Sequence, residues 1–521
     1  MMTKTWLDWS DMNDWIGYQW IAQTYQLQPV QAFRVRSQIG TQRKSVTQHA
    51  ERLETFTPNV RPQSNLTAHL TFALKHEGVH LEFLARLFAV LPISVIEEWI
   101  RNEPTGQYAR RVGFLYEWLM HTPLNVPDVS GGGYVDLLNP DDYVTATTPL
   151  KNSRWRIRNN LLGTADYCPL IYRTAAVQQA VQLDIAAAID AMQVAYGEDI
   201  LMRSAVWLTN KESKASFVIE HAGDQLDRIS RFAAVMELHC GQAEQPLAMP
   251  RLVELQREIL GAQALHYGVR QSPVFVGEVV HFTPVVHYIA PPWQQLNSML
   301  AGLALCEHNT RDQSSVLRAA LLSFGFVLIH PMVDGNGRLS RFLINDVLRR
   351  DGVLPAPLIL PVSATITRST RQRRHYDQVL ESYSKPIMRH VAGRYRFVGM
   401  QTFADGVKSN LEFDAEKETL PVWRYPDLTE QVEYLAEVIH LTLTEEMPRE
   451  AQTIQQLRQT RLALKALIEG SDYALDRIIR AVREHGQVSN KLREEFPLLD
   501  QPVLAAQVIE VIQQGFAVGV K

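Results

Sequence analysis

Cysteine is almost absent from this chain: 521 residues contain three, Cys168, Cys240 and Cys306, with no C-x-x-C pair among them. A disulfide scaffold and a thiolate zinc site are therefore excluded as organising principles. No apolar run approaches the ~18 residues of a spanning helix. The stretch from Met1 to Trp15 spreads Asp8, Asp11 and Asp14 among its tryptophans, so it lacks a signal-peptide core. Nor does one sign of charge dominate. Fifty-two basic residues face 56 acidic ones, and a net charge of -4 excludes a surface built wholly to hold nucleic acid or anionic membrane. Repeats and long low-complexity tracts are missing too. What remains, 46% hydrophobic and 21% charged, is the composition of a soluble, cytoplasmic globular protein. The length calls for roughly two to four domains.

Apolar residues recur at helical spacing from Leu66 to Met120, and Val126 to Asn160 then reads as short extended pieces between turns. Among those turns, Gly131-Gly132-Gly133 lacks a following lysine, so it is read as a turn and not as a phosphate loop. Helical periodicity returns from Arg173 to Gly197, from Lys211 to His239 and from Leu252 to His266. The β-branched and aromatic segments Val274-Phe275-Val276-Gly277 and Val285-Val286-His287-Tyr288-Ile289 then predict a hairpin. Helices are expected over 293–309 and 314–329. Past Met400 the chain reads as charged and helical, with amphipathic stretches over 427–444 and 449–468. Residues 472–515 have the lengths and turn spacing of a helix-turn-helix. From Arg449 to Lys521 ten basic residues face nine acidic ones. That balance ranks packing or protein contact ahead of DNA binding for this tail.

The chemistry concentrates in residues 330–341, HPMVDGNGRLSR. His330 follows a strongly apolar helix, Pro331 stops that helix, and Gly335-Asn336-Gly337 allows backbone angles that bulkier residues resist. A glycine loop running into a helix start aims unpaired N–H groups at one point, which attracts anions. Arg338 and Arg341 lie on one face of the first turn, where their charge opposes the helix dipole and calls for an external anion or an acidic partner. Together these features suggest a polyphosphate. Asp334 is a hard oxygen ligand suited to Mg²⁺. His330 has the acidity to take a proton from a hydroxyl near neutral pH. A zinc site on His330 and Asp334 fails for want of further nearby ligands.

This string resembles the signature of the Fic/Doc family, H-P-F-x-[D/E]-G-N-G-R-x-x-R, with Met332 where phenylalanine is usual. The resemblance implies transfer of AMP from ATP to a Tyr, Ser or Thr hydroxyl of a protein. By position, His330 becomes the base and Asp334 the Mg²⁺ ligand. Gly335, Asn336 and Gly337 cradle the α- and β-phosphates, Arg338 holds them, and Arg341 takes the γ-phosphate. Residues 268–292 look like the family's flap, in which Val274, Phe275, Val276 and Gly277 would pair with a target strand and bring its hydroxyl to His330. Tyr376 stands where the family often has an aromatic near adenine. Upstream, Ser216-Phe217-Val218-Ile219-Glu220-His221 resembles the inhibitory helix [S/T]-x-x-x-E-[G/N], His221 departing at the last position. In that scheme Glu220 pairs with Arg341 and blocks the γ-phosphate.

The expected architecture is thus mainly α, with a Fic-type helical core and a β-hairpin flap. An N-terminal α(+β) domain spans 1–202, a helical part followed by short strands. The core spans 203–398 and includes an inhibitory helix at 211–239. A C-terminal helical domain occupies 399–521, with a winged-helix-like form as one option. The expected activity is protein adenylyltransfer, with ATP as substrate, Mg²⁺ as cofactor, and a protein hydroxyl, the chain's own included, as acceptor. Removal of AMP and transfer of another nucleotide or phosphate stay open for the same loop. A nucleotide-sensing regulator acting through the tail stays open from another class, and so does a homo-oligomer.

Overall fold

The computed structural model describes residues 14–48, 51–220, 226–262, 264–281 and 283–517. Asp8, Asp11 and His221 lie outside them. The chain gathers into two compact units, each drawn from three segments. The first takes Met1–Leu183, Cys240–Leu348 and Thr370–Glu437; the second takes Asp184–His239, Arg349–Ser369 and Val438–Lys521. These units interleave along the chain, whereas the expected domains followed one another. The protein is mainly helical. No helix among the described residues is long and apolar enough to cross a membrane. All three cysteines are buried, and none is in a disulfide.

In the first unit a small sheet precedes the helices, where helices were expected to come first. Its strands run in the order Trp15–Ile16, Val35–Ile39, Glu51–Phe56, Lys44–Gln48, with the middle pair parallel. Lys44–Gln48 is exposed along its whole length, so no apolar alternation marked it. Helices Leu66–His76, Leu81–Val90, Ile93–Asn102 and Gln107–Met120 follow and enclose a core containing Phe83, Leu84, Leu87, Trp99 and Leu115. Three short strands at 135–136, 150–152 and 157–159 form the next sheet. The glycine triplet between these regions is a turn held by arginines. Arg156 donates to Gly132 O at 2.6 Å and Arg110 to Gly133 O at 2.9 Å.

The helices that position the site are Met249–Leu260, Leu296–Asn309, Ser315–Ile329 and Asn336–Arg350. Ser315–Ile329 is apolar almost all round, and only Ser315 and Val327 escape full burial, as a central core helix requires. It is tied to Leu296–Asn309 by Arg318, whose guanidinium lies 2.8 Å from Glu307 with both side chains buried. Two hairpins stand beside these helices. Phe275–Val280 pairs antiparallel with Thr283–Ile289, as expected, with a bulge between Val276 and Gly277. A Cβ at Gly277 would lie 2.1 Å from Val285 O, so glycine alone fits the bulge.

The second hairpin, Tyr395–Thr402 with Lys408–Phe413, replaces what was read as a helical stretch past Met400. Charged residues on its outer face hid the strands, although the Asp405-Gly406 turn is a hairpin signal, and Gly406 takes the left-handed φ of 77°.

In the second unit the expected helix over 211–239 is two helices, Glu198–Ile219 and Leu226–His239. Residues 221–225, between them, lie outside the described residues. Buried Glu212 links the first of these to residue 363, accepting from Ser363 N at 2.7 Å and Ser363 Oγ at 2.5 Å. The amphipathic stretches expected over 427–444 and 449–468 are the helices Thr429–Leu441, counted with the first unit as far as Glu437, and Met447–Lys465, with a π-helical turn at Thr442–Glu446. Pro448, which has no N–H to donate, begins the second helix. The tail folds as Asp472–His485, Asn490–Glu495 and Pro502–Ala517 around Leu475, Ile479, Leu492 and Val508. Helices stand where the sequence spacing placed them, and the described residues of the tail contain no strand.

One close approach is decisive for the core. A methyl group at Gly302 would meet Tyr167 O and Tyr167 Cβ, each at 2.7 Å. Alanine normally stabilises a helix interior by up to ~1 kcal/mol over glycine. Gly302→Ala is nevertheless expected to lower stability by about 1–3 kcal/mol through overpacking, read as a lower thermal midpoint. An unchanged or raised midpoint would contradict the packing described.

Candidate active site

The site begins where the central helix stops. His330 has φ 52° and ψ 55°, and its N–H still donates to Phe326 O at 3.0 Å. A left-handed backbone costs a residue with a Cβ roughly 1–2 kcal/mol. Something must hold it there, and Arg270 does. This residue is 1% exposed, and its guanidinium donates to His330 O at 2.8 Å, Ser272 O at 3.0 Å and Pro291 O at 2.6 Å. Its own N–H donates to Pro331 O at 3.0 Å. Burial pushes the Arg270 guanidinium down to about 10, opposed by Tyr288 and Asp405. It remains a cation at neutral pH.

The loop that follows is closed from within. Met332 N donates to Asn336 Oδ1 at 2.8 Å, and Asn336 Nδ2 returns a bond to Met332 O at 2.9 Å. Met332 is fully buried and bridges to Val269, while Val333 N donates to Gly268 O at 3.2 Å. Gly335 adopts φ 85°, the conformation glycine tolerates best. The loop enters the helix with Leu339 N bonded to Gly335 O at 2.9 Å.

Gln256, on Met249–Leu260, supports the loop from behind. Its amide donates to Asp334 O at 2.8 Å and accepts from Gly268 N at 2.6 Å. Nothing in the sequence pattern marked Gln256, because a polar residue on an amphipathic helix reads as a solvent-facing one.

Asp334 keeps a side chain 61% exposed, with one oxygen accepting from Gly335 N at 2.6 Å and lying 3.0 Å from Arg338. Arg338 and Arg341 are buried at the start of the helix, 5% and 3% exposed. Among the described residues no group of three or more His, Cys, Asp or Glu could hold a metal by itself. A lone exposed carboxylate fits Mg²⁺, which takes most of its ligands from phosphates and water.

The hairpin read as the flap is anchored at its base. Tyr288 OH donates to Leu328 O at 2.6 Å, Ala290 N donates to Val274 O at 3.1 Å, and Phe275 packs 5.3 Å from Phe397. Val276 and Gly277 are exposed. Tyr376, on Thr370–His390, is half-buried, its ring 6.1 Å from Tyr434 and the Arg373 guanidinium 6.0 Å away. Ser216 and Glu220 lie in the second unit. Ser216 is fully buried in the last turn of its helix, and Glu220 is half-buried immediately after it, with φ -81° and ψ 3°.

A family model described as Fic/DOC family matches residues 246–348, the stretch holding the hairpin Phe275–Ile289, the loop and the helix after it. Residues 246–348 belong to the Fic/DOC family. The chain is 34% identical over 137 residues to a protein named protein adenylyltransferase fic-1 from Caenorhabditis briggsae, covering 25% of each. It is 30% identical over 187 residues to the protein of that name from Caenorhabditis elegans, covering 34% of each. A protein adenylyltransferase Fic from Drosophila virilis is 29% identical over 218 residues, covering 41% of this chain and 38% of that protein. The chain therefore spans between a quarter and two fifths of the length of these relatives. A solved Fic family protein from Desulfovibrio desulfuricans aligns with 68% of this chain and 87% of its own, at 17% identity and a TM-score of 0.38. So low a score adds nothing to the assignment. The family assignment rests on the matched segment.

Asn336 makes both of its bonds inside the loop, so Asn336→Ala leaves a buried N–H and C=O of Met332 without these partners. The expected loss is about 1–3 kcal/mol of stability. Hydrogen exchange at the Met332 amide should accelerate in the same variant. Wild-type protection at Met332 would show that Asn336 does not close the loop.

Proposed function

We propose that this protein is an adenylyltransferase that moves AMP from ATP to a hydroxyl of a protein. The observation that carries the reading is the fixed turn from His330 to Arg341, in which a histidine, an exposed carboxylate, a glycine loop and two buried arginines share one helix start. The acceptor hydroxyl attacks the α-phosphorus of ATP. Its proton passes to the His330 imidazole, the new oxygen–phosphorus bond forms, and the bond to the β-phosphate breaks as pyrophosphate leaves. Gly335, Asn336 and Gly337 present main chain to the phosphates, while Arg338 and Arg341 offset the charge that gathers on the departing oxygens. Asp334 would hold Mg²⁺, which when bound neutralises phosphate charge. Val274 to Gly277 would present flap main chain to a target strand. Tyr376 would serve adenine. The buried free thiols fit a reducing compartment such as the cytoplasm.

Control is proposed to come from Glu220. It follows Ser216 at the spacing of the inhibitory helix, and a carboxylate paired with Arg341 would keep the γ-phosphate from seating.

Incubation with α-labelled ATP is expected to label protein, and His330→Ala should lower the rate by ~100-fold or more, the usual weight of a general base. Equal labelling by that variant would remove His330 from the mechanism. Glu220→Gly is expected to raise labelling several-fold. If labelling stays at the wild-type level while His330 remains essential, Glu220 has no inhibitory role.

A further inference from the structure

Asp405 lies at the tip of the second hairpin, outside the segment that carries the loop and flap. Its carboxylate nevertheless accepts from Gln271 N at 2.7 Å, Ser272 Oγ at 2.8 Å and Val407 N at 3.1 Å. Ser272 is fully buried, and its carbonyl is one of the three that receive the Arg270 guanidinium. The same guanidinium holds His330 O, so a short chain of contacts runs from Asp405 through Ser272 and Arg270 to the turn at His330. A second contact runs beside it, because Phe397 of the same hairpin packs on Phe275 of the flap.

The electrostatics agree with the geometry. Arg270 is a buried cation that donates to the neutral carbonyls of His330, Ser272 and Pro291, and a buried charge of this kind is costly without an anion in range. Asp405 supplies that field. Burial alone would raise the Asp405 carboxyl, but the bonds it accepts from Gln271, Ser272 and Val407 bring it below the ordinary carboxylate range, so it stays ionised.

We infer that Asp405 is a positioning residue for the proposed transfer, fixing the flap base and the His330 turn from a hairpin outside the family segment. The inference rests on the reading of His330 as the base. It adds that this base is aimed, in part, by an acid 75 positions further along the chain. Asp405 would touch neither nucleotide nor acceptor. Its effect should therefore fall on the rate of transfer, with nucleotide affinity untouched.

Full-length Asp405→Ala and Asp405→Asn are to be compared with wild type for AMP transfer, ATP affinity, and hydrogen exchange at the Gln271, Arg270 and Val333 amides. Misplacing a catalytic group by ~1 Å costs up to about 100-fold. Asp405→Ala is accordingly expected to lower kcat about tenfold or more, leave ATP affinity within about twofold, and speed exchange at all three amides. Asp405→Asn keeps an acceptor oxygen and should recover much of the rate. Should Asp405→Ala not fold, Ser272→Ala takes its place, expected to lower kcat at unchanged ATP affinity. Unchanged kcat, or equal losses in kcat and ATP affinity, would overturn the inference. If the wild-type protein transfers no AMP, the functional reading fails separately. Exchange at Arg270 and Val333 then decides the positioning contact: faster exchange in Asp405→Ala upholds it, and unchanged exchange defeats it.

Discussion

The site depends on one buried guanidinium. Arg270 spends its donors on the carbonyls of His330, Ser272 and Pro291, which mark the end of the central helix, the entry to the flap and the exit from it. Guanidinium is planar and rigid, so three acceptors bound to it are fixed relative to one another as well as to it. The left-handed turn at His330 would be unfavourable in isolation. It persists because the surrounding bonds overdetermine it.

The loop beyond His330 follows a different logic. There the paired bonds between Asn336 and Met332 and the N-terminal turn begun by Gly335 are local, while Gln256, Gly268 and Arg270 hold the loop from outside. A loop closed on itself keeps its shape without a ligand, which is what preorganised phosphate binding requires. The unfavourable part is the placement of Arg338 and Arg341 at the positive end of a helix. Asp334 answers part of that charge through its contact with Arg338.

Much of this was legible in the sequence because it is local. The string from His330 to Arg341, the flap strands and the three tail helices are each specified by residues within one turn or one hairpin of each other. The parts that escaped are those set by partners far away in the chain. Gln256 looks like any polar helical residue until Asp334 and Gly268 are seen on either side of it. Asp405 looks like a turn residue until Gln271 and Ser272 are found on its carboxylate. The sheet at the N-terminal end escaped for a third reason. Its outermost strand, Lys44–Gln48, has no buried face, and an element without a buried face leaves no periodic trace.

The acceptors chosen by Arg270 have a consequence for how such a protein can change. Each is a main-chain oxygen, present whatever side chain the residue carries. The exposed positions of the hairpin between Val274 and Ile289 can therefore vary, with Gly277 kept for its bulge and Phe275 and Tyr288 for their anchoring contacts, while the clamp beneath it is preserved. The outer strands and the turn at His330 are separable in this arrangement. Substitutions on the outer faces of those strands leave the three bonds of Arg270 in place.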